Sequence, residues 1–348
     1  MRHLDKLAGQ GFVHPLGTWA LIKPTVSSRD IADCDTAAST DFTKPINCIL
    51  PIPAMLPLSS INTLLLLIAS ITHSAIATDA ASVAPWRPTP GTPWQIILGG
   101  KINPSSPFIK QVSVVDGDLF TNTNNGADPK TIFGALHAQG KKIICYFSAG
   151  TYEPYRPDSG QYDKRDLGAT LPEWPDERWV DIRSERVRAI IRARIELAAK
   201  MGCDGIDPDN MDGYANQNGG GFNPPLRKQD SIDLVRMMAS HASSLGMATG
   251  LKNALAIIAD VVDVVHFAVN EECASYNECT AMKPFIAKGK AVFHVEYPPA
   301  AGSDAGVATA AKRKKYCQPK GGEGFSTLIK TYDLDKWTQT CDGRVYKS

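Results

Sequence analysis

Short apolar runs alternate with amphipathic segments along the chain from residue 94 to its end. Eight runs rich in Val, Ile and Phe have the length of buried β-strands. They occupy residues 94–98, 112–115, 142–147, 205–206, 248–251, 264–269, 291–295 and 325–330. Segments 184–201 and 230–245 between them carry apolar residues at helical spacing. Strands that alternate with helices predict a parallel sheet, and eight of them predict a single α/β domain over residues 94–348, a closed (β/α)₈ TIM barrel. An open doubly wound sheet is the alternative.

The residues before this barrel have a different pattern. Residues 1–54 have no sustained period, which predicts an unstructured leader and suggests a mis-assigned start. Residues 55–77 combine a polar lead, an apolar block and small residues at Ala75 and Ala77, as a signal peptide does. A buried core helix is the alternative, and the block is shorter than the roughly 18 apolar residues of a membrane span. Residues 78–93 form a Pro-rich linker. If Met55 is the true start, cleavage after Ala77 leaves about 270 residues, which suits one TIM barrel.

Charge and composition exclude several classes of function. The 348 residues include 37 Lys and Arg against 36 Asp and Glu, a net charge of +1, and this balance argues against a nucleic-acid binder. No glycine-rich nucleotide-binding motif follows a predicted strand. The segment 207–218 departs from a calcium loop at two ligand positions, and the histidines lack zinc-ligand spacing. We therefore expect neither a metal nor another cofactor.

The cysteine positions predict disulfides and an oxidising compartment. Cys273 and Cys279 flank a five-residue loop after a predicted strand, and Cys317 and Cys341 can tie down the C-terminus. Cys145 and Cys203 fit a bond or two buried thiols equally well. Together with the signal pattern, this predicts a secreted, extracellular protein without a stable membrane span, and we expect a monomer.

Polar residues follow six consecutive predicted strands. They are Asp116 and Asp118 after the second strand, Ser148 after the third, Asp207, Asp209 and Asn210 after the fourth, Lys252 and Asn253 after the fifth, Asn270 and Glu271 after the sixth, and Glu296 and Tyr297 after the seventh. A single such residue is usually a helix cap, but the C-terminal ends of barrel strands also form the active face. Repetition around one rim therefore predicts a site.

Carboxylates dominate this rim, and paired carboxylates suit glycoside hydrolysis. One acid protonates the leaving oxygen while a second carboxylate attacks the sugar carbon or activates water. Tyr214 and Tyr297 are candidate walls on which a sugar could stack. A serine esterase has less support, because no G-x-S-x-G motif surrounds Ser148.

Several of these segments resemble one known enzyme family. The runs are CYFSAGTYEPYRPD at 145–158, GCDGIDPDNMDGY at 202–214, GLKN at 250–253, FAVNEEC at 267–273 and AVFHVEY at 291–297. They are similar to glycoside hydrolase family 114, whose members are endo-α-1,4-polygalactosaminidases with a TIM-barrel fold. The resemblance implies hydrolysis of a galactosamine-rich exopolysaccharide.

The resemblance also implies roles for particular residues. In the DPDN and VNEEC motifs it points to Asp207 as the nucleophile and Glu271 as the general acid/base, with Asp209 as the rival nucleophile. The remaining rim residues are expected to bind substrate, and spare carboxylates can pair with its ammonium groups. This set comprises Asp116, Asp118, Tyr146, Ser148, Asp209, Asn210, Asp212, Tyr214, Lys252, Asn253, Asn270, Glu296 and Tyr297. A non-catalytic barrel that binds amino-sugar polymers is the alternative, although binding alone does not need both Asp207 and Glu271.

Overall fold

The structure, a computed structural model, describes residues 84–125, 132–298 and 306–347. The chain divides into two units, Met1–Ala77 and Thr78–Ser348, and all described residues belong to the second. The predicted leader 1–54, signal peptide 55–77 and first part of the linker, 78–83, lie outside the described residues. No helix within the described ranges has the length and hydropathy needed to cross a membrane.

Thirteen strands are present in the described residues. In chain order they are β1 (Trp94–Ile97), β2 (Val114–Asp118), β3 (Lys142–Ser148), β4 (Thr151–Tyr152), β5 (Leu167–Thr170), β6 (Arg178–Val180), β7 (Gly205–Asp209), β8 (Ala248–Lys252), β9 (Phe267–Glu271), β10 (Val292–Glu296), β11 (Ser326–Lys330), β12 (Trp337–Gln339) and β13 (Val345–Lys347). All eight predicted strands are confirmed, as β1, β2, β3 and β7 to β11. These eight pair in parallel in that order.

Helices follow most of these strands. They are α1 (Leu119–Asn122), α2 (Ile132–His137), α3 (Glu185–Met201), α4 (Gln217–Gly220), α5 (Lys228–Ser244), α6 (Ile258–Val261), α7 (Cys273–Tyr276), α8 (Lys283–Ala287) and α9 (Ala310–Cys317). The two predicted helices are confirmed as α3 and α5, each of which buries one apolar stripe. The fold is therefore a TIM barrel, as the alternation of segments predicts.

Side chains and loops join the first and last parallel strands. Trp94 Nε1 of β1 donates to the Ser326 carbonyl of β11 at 2.8 Å. Gln95 Nε2 donates to Thr338 Oγ1, which also accepts from the buried Lys330 ammonium. These contacts close the barrel between β1 and β11.

Aromatic rings fill the barrel at the N-terminal ends of its strands. Phe293 contacts Trp94 on one side and Phe267 on the other, with ring centroids 4.8 and 5.6 Å apart. A Cβ at Gly250 would lie only 2.4 Å from the Phe267 ring, so a glycine is required there. Because the rings occupy this end, the polar residues cluster at the opposite end, the barrel mouth.

Residues 84–93 pack against the barrel, although their composition predicts a linker. The Trp86 ring lies 6.3 Å from that of Phe267. The Pro88 carbonyl accepts from the Ala291 amide at 3.0 Å, and the Gly91 amide donates to Gly324. Proline limits the conformation of this segment but leaves its carbonyls free to bind the strand ends.

Three disulfides hold the described chain together. The two predicted pairs, Cys273–Cys279 and Cys317–Cys341, are present. The third joins Cys145 in β3 to Cys203, which precedes β7. Cys145 and Cys203 therefore form a disulfide and are not two free thiols.

Two antiparallel additions were not predicted. Strands β4, β5 and β6 form a separate three-stranded sheet between β3 and α3, in the order β4-β6-β5. Strands β12 and β13 extend the main sheet beyond β11. These strands are two to four residues long, too short for an alternating pattern to distinguish them from loops.

Candidate active site

A buried lysine joins two carboxylates at the barrel mouth. Lys252, at the end of β8, has a side chain only 2% exposed, and its Nζ lies 3.5 Å from Asp209 Oδ2 and 3.5 Å from Glu271 Oε2. Burial alone would lower the pKa of this ammonium, but the carboxylates of Asp209 and Glu271 raise it above its ordinary value. Lys252 therefore carries a charge. The two carboxylate oxygens are at most twice 3.5 Å apart.

Hydrogen bonds fix the orientation of Glu271 at the end of β9. The Tyr297 hydroxyl donates to Oε1 at 2.5 Å, and Asn253 Nδ2 donates to Oε2 at 3.0 Å. Asn253 Oδ1 also accepts from the Glu271 amide, so one amide side chain holds both ends of this residue. Burial would raise the pKa of Glu271, but Lys252 and these donors together hold it below its ordinary value. Glu271 is thus an ionised, oriented carboxylate.

Asp209 is positioned by a residue of the neighbouring strand β3 and by the turn that follows β7. The Tyr146 hydroxyl donates to Oδ2 at 3.1 Å, and the Asn210 amide donates to Oδ1 at 2.8 Å. Asn210 adopts a left-handed φ of 61°, and its side-chain Nδ2 donates to Ser148 Oγ, which anchors the turn. The turn passes so close to Gly150 that a Cβ there would overlap the Asn210 carbonyl. The Asp209 side chain stays 19% exposed, open to a ligand.

Asp207 lies deeper in the barrel than Asp209, on the same face of β7. Its side chain is fully buried, and neither oxygen has a hydrogen-bond partner among the described residues. Burial raises its pKa to about 7. The Lys252 ammonium opposes this rise, and the charges of Asp209 and Glu271 add to it. This position favours Asp209 over Asp207 as the carboxylate that reaches a ligand.

Asp116 on β2 is in the same situation as Asp207. It is fully buried, and burial followed by the charge of Asp207 raises its pKa well above the ordinary range. Both carboxyls therefore lie beneath the mouth, where a polysaccharide cannot reach them. The Lys252 ammonium lies within electrostatic range of both and partly offsets the rise in their pKa.

Four other predicted residues are buried, bind neighbouring protein groups and support the fold. Asp118 caps α1 through the Thr121 amide and pairs with Arg156 at 2.7 Å. Ser148 is fully buried and holds the Asn210 turn. Asn270 is 1% exposed and donates to Asn253 Oδ1.

Glu296 is the fourth of these residues. It is fully buried outside the barrel and accepts from the Ala274 amide at 2.7 Å and the Ser275 hydroxyl at 2.6 Å. The next residue along, Tyr297, reaches Glu271, because consecutive side chains of an extended segment face opposite sides. Glu296 therefore positions α7 and does not face a ligand.

Asp212 and Tyr214 remain close to the mouth. Both are partly exposed, in the segment that follows Asp209. Burial and the charge of Asp209 raise the pKa of Asp212, which places the two carboxylates within electrostatic range. Tyr214 packs against the hydrophobic core with part of its side chain free.

Sequence reasoning did not place four residues near Glu271 in the site, although Trp174 is among the aromatic residues that could stack on a sugar. Glu272 follows it directly, and Tyr332, Trp174 and Glu173 come from loops after β11 and β5. Tyr332 donates to Glu173 Oε2 at 2.8 Å, and its ring stacks on that of Trp174. The pair EE at 271–272 was a visible signal for Glu272, and the ring of Trp174 was a signal in the loop after β5. The position of that loop was not predictable, because its sheet was not predicted.

One group of described side chains has metal-ligand spacing. Cys273, Cys279 and His294 offer atoms within 4.8 Å of one another. The two sulfurs are joined in a disulfide, so they do not offer the thiolates that a soft metal binds.

Comparisons with known proteins agree with this geometry. The family model described as glycoside-hydrolase family GH114 matches residues 75–346. The crystal structure of Aspergillus fumigatus Ega3 in complex with galactosamine is 42% identical, with a TM-score of 0.68, over 74% of this chain and 98% of that one. The glycoside hydrolase domain of PelA from Pseudomonas aeruginosa is 16% identical, with a TM-score of 0.51, over 70% and 96%, and shows the shared fold. No curated protein sequence matches. The chain therefore belongs to glycoside-hydrolase family GH114.

Proposed function

We propose that this protein hydrolyses α-1,4 bonds in galactosamine-rich polysaccharide, with Asp209 and Glu271 as the reacting carboxylates. The observation that carries this proposal is the pair of partly exposed carboxylates that each lie 3.5 Å from the Lys252 ammonium. The galactosamine bound in the similar Ega3 structure supports the choice of sugar. A rim rich in carboxylates also suits a cationic polymer.

The two carboxylates divide the work. The ionised state of Glu271 suits attack on the anomeric carbon or activation of a water. We assign the acid role to Asp209, which must gain a proton before it donates one to the leaving oxygen as the glycosidic bond breaks. This assignment gives Glu271 the attacking role, whereas the family resemblance implies that Glu271 is the general acid/base. Asp209 Oδ2 and Glu271 Oε2 are at most twice 3.5 Å apart, a limit that includes the retaining spacing of about 5 to 5.5 Å and the short end of the inverting range.

An activated substrate separates the two roles. Glu271→Gln should lose hydrolysis of both the polymer and an oligosaccharide with a dinitrophenyl leaving group, because the attacking carboxylate is gone. Asp209→Asn should lose about 10² to 10⁴-fold on the polymer yet keep most activity on the dinitrophenyl substrate, which needs no protonation. The opposite pattern would make Glu271 the acid.

Asp207→Asn is the matched control, since it makes the same chemical change two residues away. We expect it to retain turnover of both substrates, because Asp207 is buried and its pKa is about 7. Loss of activity in this variant alone would return the nucleophile role to Asp207. If the parent binds the polymer without releasing products, the protein is a carbohydrate-binding barrel instead.

We also propose that the protein is exported. The signal-peptide pattern at 55–77 supports this, as do three disulfides in the described chain. N-terminal sequencing of protein from the culture medium should then begin near Thr78. A secreted form that still carries Met1 would refute the proposed start at Met55.

A further inference from the structure

A chain of hydrogen bonds leads from the turn after β7 to Glu177, which directly precedes β6. Asn210 Nδ2 donates to Ser148 Oγ at 3.1 Å, and Ser148 Oγ lies 2.5 Å from Thr151 Oγ1. Thr151 Oγ1 donates to Glu177 Oε2 at 2.9 Å. Because Glu177 accepts the single hydroxyl proton of Thr151, Ser148 donates the bond between the two hydroxyls. All of these bonds therefore point towards Glu177.

The other end of this chain is Asp209. The Asn210 backbone amide donates to Asp209 Oδ1 at 2.8 Å, and the Asp209 carbonyl accepts from the Ala149 and Gly150 amides. Asn210 thus binds Asp209 through its main chain and the two hydroxyls through its side chain. The left-handed φ of Asn210 is unfavourable for most residues, so the side-chain anchor stabilises the turn. The chain ties the orientation of the Asp209 carboxylate to Glu177.

The small antiparallel sheet fixes Glu177 at this position. The Glu177 amide donates to the Trp174 carbonyl at 2.9 Å, and the Glu177 carbonyl accepts from the Leu171 amide at 3.0 Å. Strand β6, which follows, pairs Trp179 with Thr151 of β4. The sheet therefore holds the donor Thr151 and the acceptor Glu177 on neighbouring strands, and such rigid support suits a residue that positions another.

Glu177 and Asp209 also interact through their charges. Glu177 is partly buried, and no Lys, Arg or His of the described ranges forms an ion pair with it. Burial raises its pKa to about 7, and the charges of Glu153 and Asp209 add to this rise. The Thr151 hydroxyl and Arg156 oppose the rise.

A negative neighbour suits the role of Asp209 as an acid. Lys252 lies 3.5 Å from Asp209 and favours its ionised form, which has no proton to donate. A charge on Glu177 acts in the opposite direction, because two like charges oppose each other's ionisation. The other titratable groups within electrostatic range are Tyr146 and Tyr155 for Glu177, and Asp116, Tyr146, Asp207, Asp212, Lys252 and Tyr297 for Asp209.

We propose that Glu177 is a positioning residue for Asp209: it ends the hydrogen-bond chain that orients the turn after β7, and its negative charge favours the protonated Asp209 that donates to the leaving oxygen. Glu177 acts through Asn210 and Asp209 and not on the substrate. After each donation Asp209 is a carboxylate, and it regains a proton from the water that completes hydrolysis. This inference rests on the proposed function and adds to it how an aspartate beside a charged lysine keeps its proton.

Two substitutions of Glu177 test the two parts of this role. Glu177→Gln keeps an acceptor for Thr151 and removes the charge. With the polymer, the basic limb of its kcat/KM profile should move to lower pH by about half a unit, which lowers the rate about threefold above that limb. Glu177→Ala also removes the acceptor, so kcat should fall by about a further tenfold. The dinitrophenyl substrate needs no protonation, so Glu177→Gln should leave its hydrolysis unchanged.

Glu185→Gln, on the exposed face of α3, makes the same chemical change and should match the parent on both substrates. A basic limb at the parent's position in Glu177→Gln, or an equal loss on both substrates, would overturn the charge role. Equal kcat in Glu177→Ala and Glu177→Gln would overturn the role of the hydrogen-bond chain. Thr151→Val cuts the same chain and replaces Glu177→Ala in this comparison if that variant does not fold.

An NMR titration of carbon-13-labelled carboxyl groups measures the coupling without turnover. The Glu177 signal, assigned with Glu177→Gln, should titrate near pH 7 in the parent. Asp209→Asn removes a like charge and should lower that midpoint by about half a unit. An unchanged midpoint would contradict the coupling. If the parent cleaves neither substrate, the proposed function is wrong, and the midpoint still decides whether Glu177 and Asp209 interact.

Discussion

Replacing Lys252 with methionine tests the electrostatic basis of the site. Methionine keeps an unbranched apolar stem and removes the ammonium that lies 3.5 Å from both Asp209 and Glu271. In the parent, this charge is the strongest of the influences that lower the pKa of Glu271. Lys252→Met should therefore raise that pKa and delay ionisation of Glu271 to higher pH.

The separation sets the size of the expected shift. Coulomb's law at 3.5 Å gives about 5 kcal/mol for one contact at an effective dielectric constant near 20. One pKa unit corresponds to about 1.4 kcal/mol, so this energy is a ceiling of about three and a half units. The Glu271 side chain is 24% exposed, and solvent reduces the effect. We expect a rise of about one to two units.

The pH dependence of kcat/KM measures this shift. Because Glu271 must be ionised, activity falls on the acidic side of its pKa, and in Lys252→Met this acidic limb should move to higher pH by about one to two units. Lys290→Met is the matched control, because Lys290 binds the Val262 and Val265 carbonyls instead of an active-site carboxylate. Its profile should match that of the parent.

Thermal unfolding gives a second measurement of the same charge. A carboxyl whose folded pKa is depressed stabilises the protein above its unfolded pKa, and this stabilisation is lost as pH falls through the folded pKa. Lys252→Met should therefore lower Tm more at neutral pH than near the unfolded pKa of about 4.3. An acidic limb at the parent's position in Lys252→Met would refute the proposed dependence of Glu271 on Lys252.

Three further predictions concern residues around this site. Asp207→Asn should raise Tm relative to the parent by an amount that grows from about pH 4 to about pH 7, because the raised pKa of Asp207 makes its ionisation oppose folding over that interval; a constant difference would contradict this. Glu296→Gln should cost about 1 to 3 kcal/mol in chemical unfolding and leave KM unchanged, since Glu296 binds α7 and not substrate; a raised KM with normal stability would contradict it. Replacing Cys273 and Cys279 with serine should cost about 2 kcal/mol for the six-residue separation, measured by the same unfolding; unchanged stability would show that the bond constrains little.

The sequence determined the fold through local patterns. Eight apolar runs separated by helical segments predict eight parallel strands, because each run is buried on both faces and needs no alternation. The strand ends were not predictable in this way, because Asp116, Asp207 and Glu271, expected after the strands, lie within β2, β7 and β9. The small antiparallel sheet was not predictable, because each of its strands is only two to four residues long.

Only the tertiary structure decided which polar residues face a ligand. Asp207 and Asp209 point to the same side of β7, because residues two apart share a face, so the pattern cannot distinguish them. They differ in depth by two residues along the strand, about 6.6 Å, and this depth leaves one in the core and the other at the mouth. Depth depends on how neighbouring strands are staggered.

The tertiary structure also decided which groups the other rim residues contact. Glu296 and Tyr297 are consecutive polar residues in the sequence, yet one binds α7 and the other binds Glu271. Trp174 and Tyr332 meet although 158 positions separate them, and no local pattern links them. The sequence by itself determined the barrel and the chemical type of its rim, because those depend on local composition. The arrangement around Lys252 was decided by the tertiary structure, because it depends on contacts between distant strands.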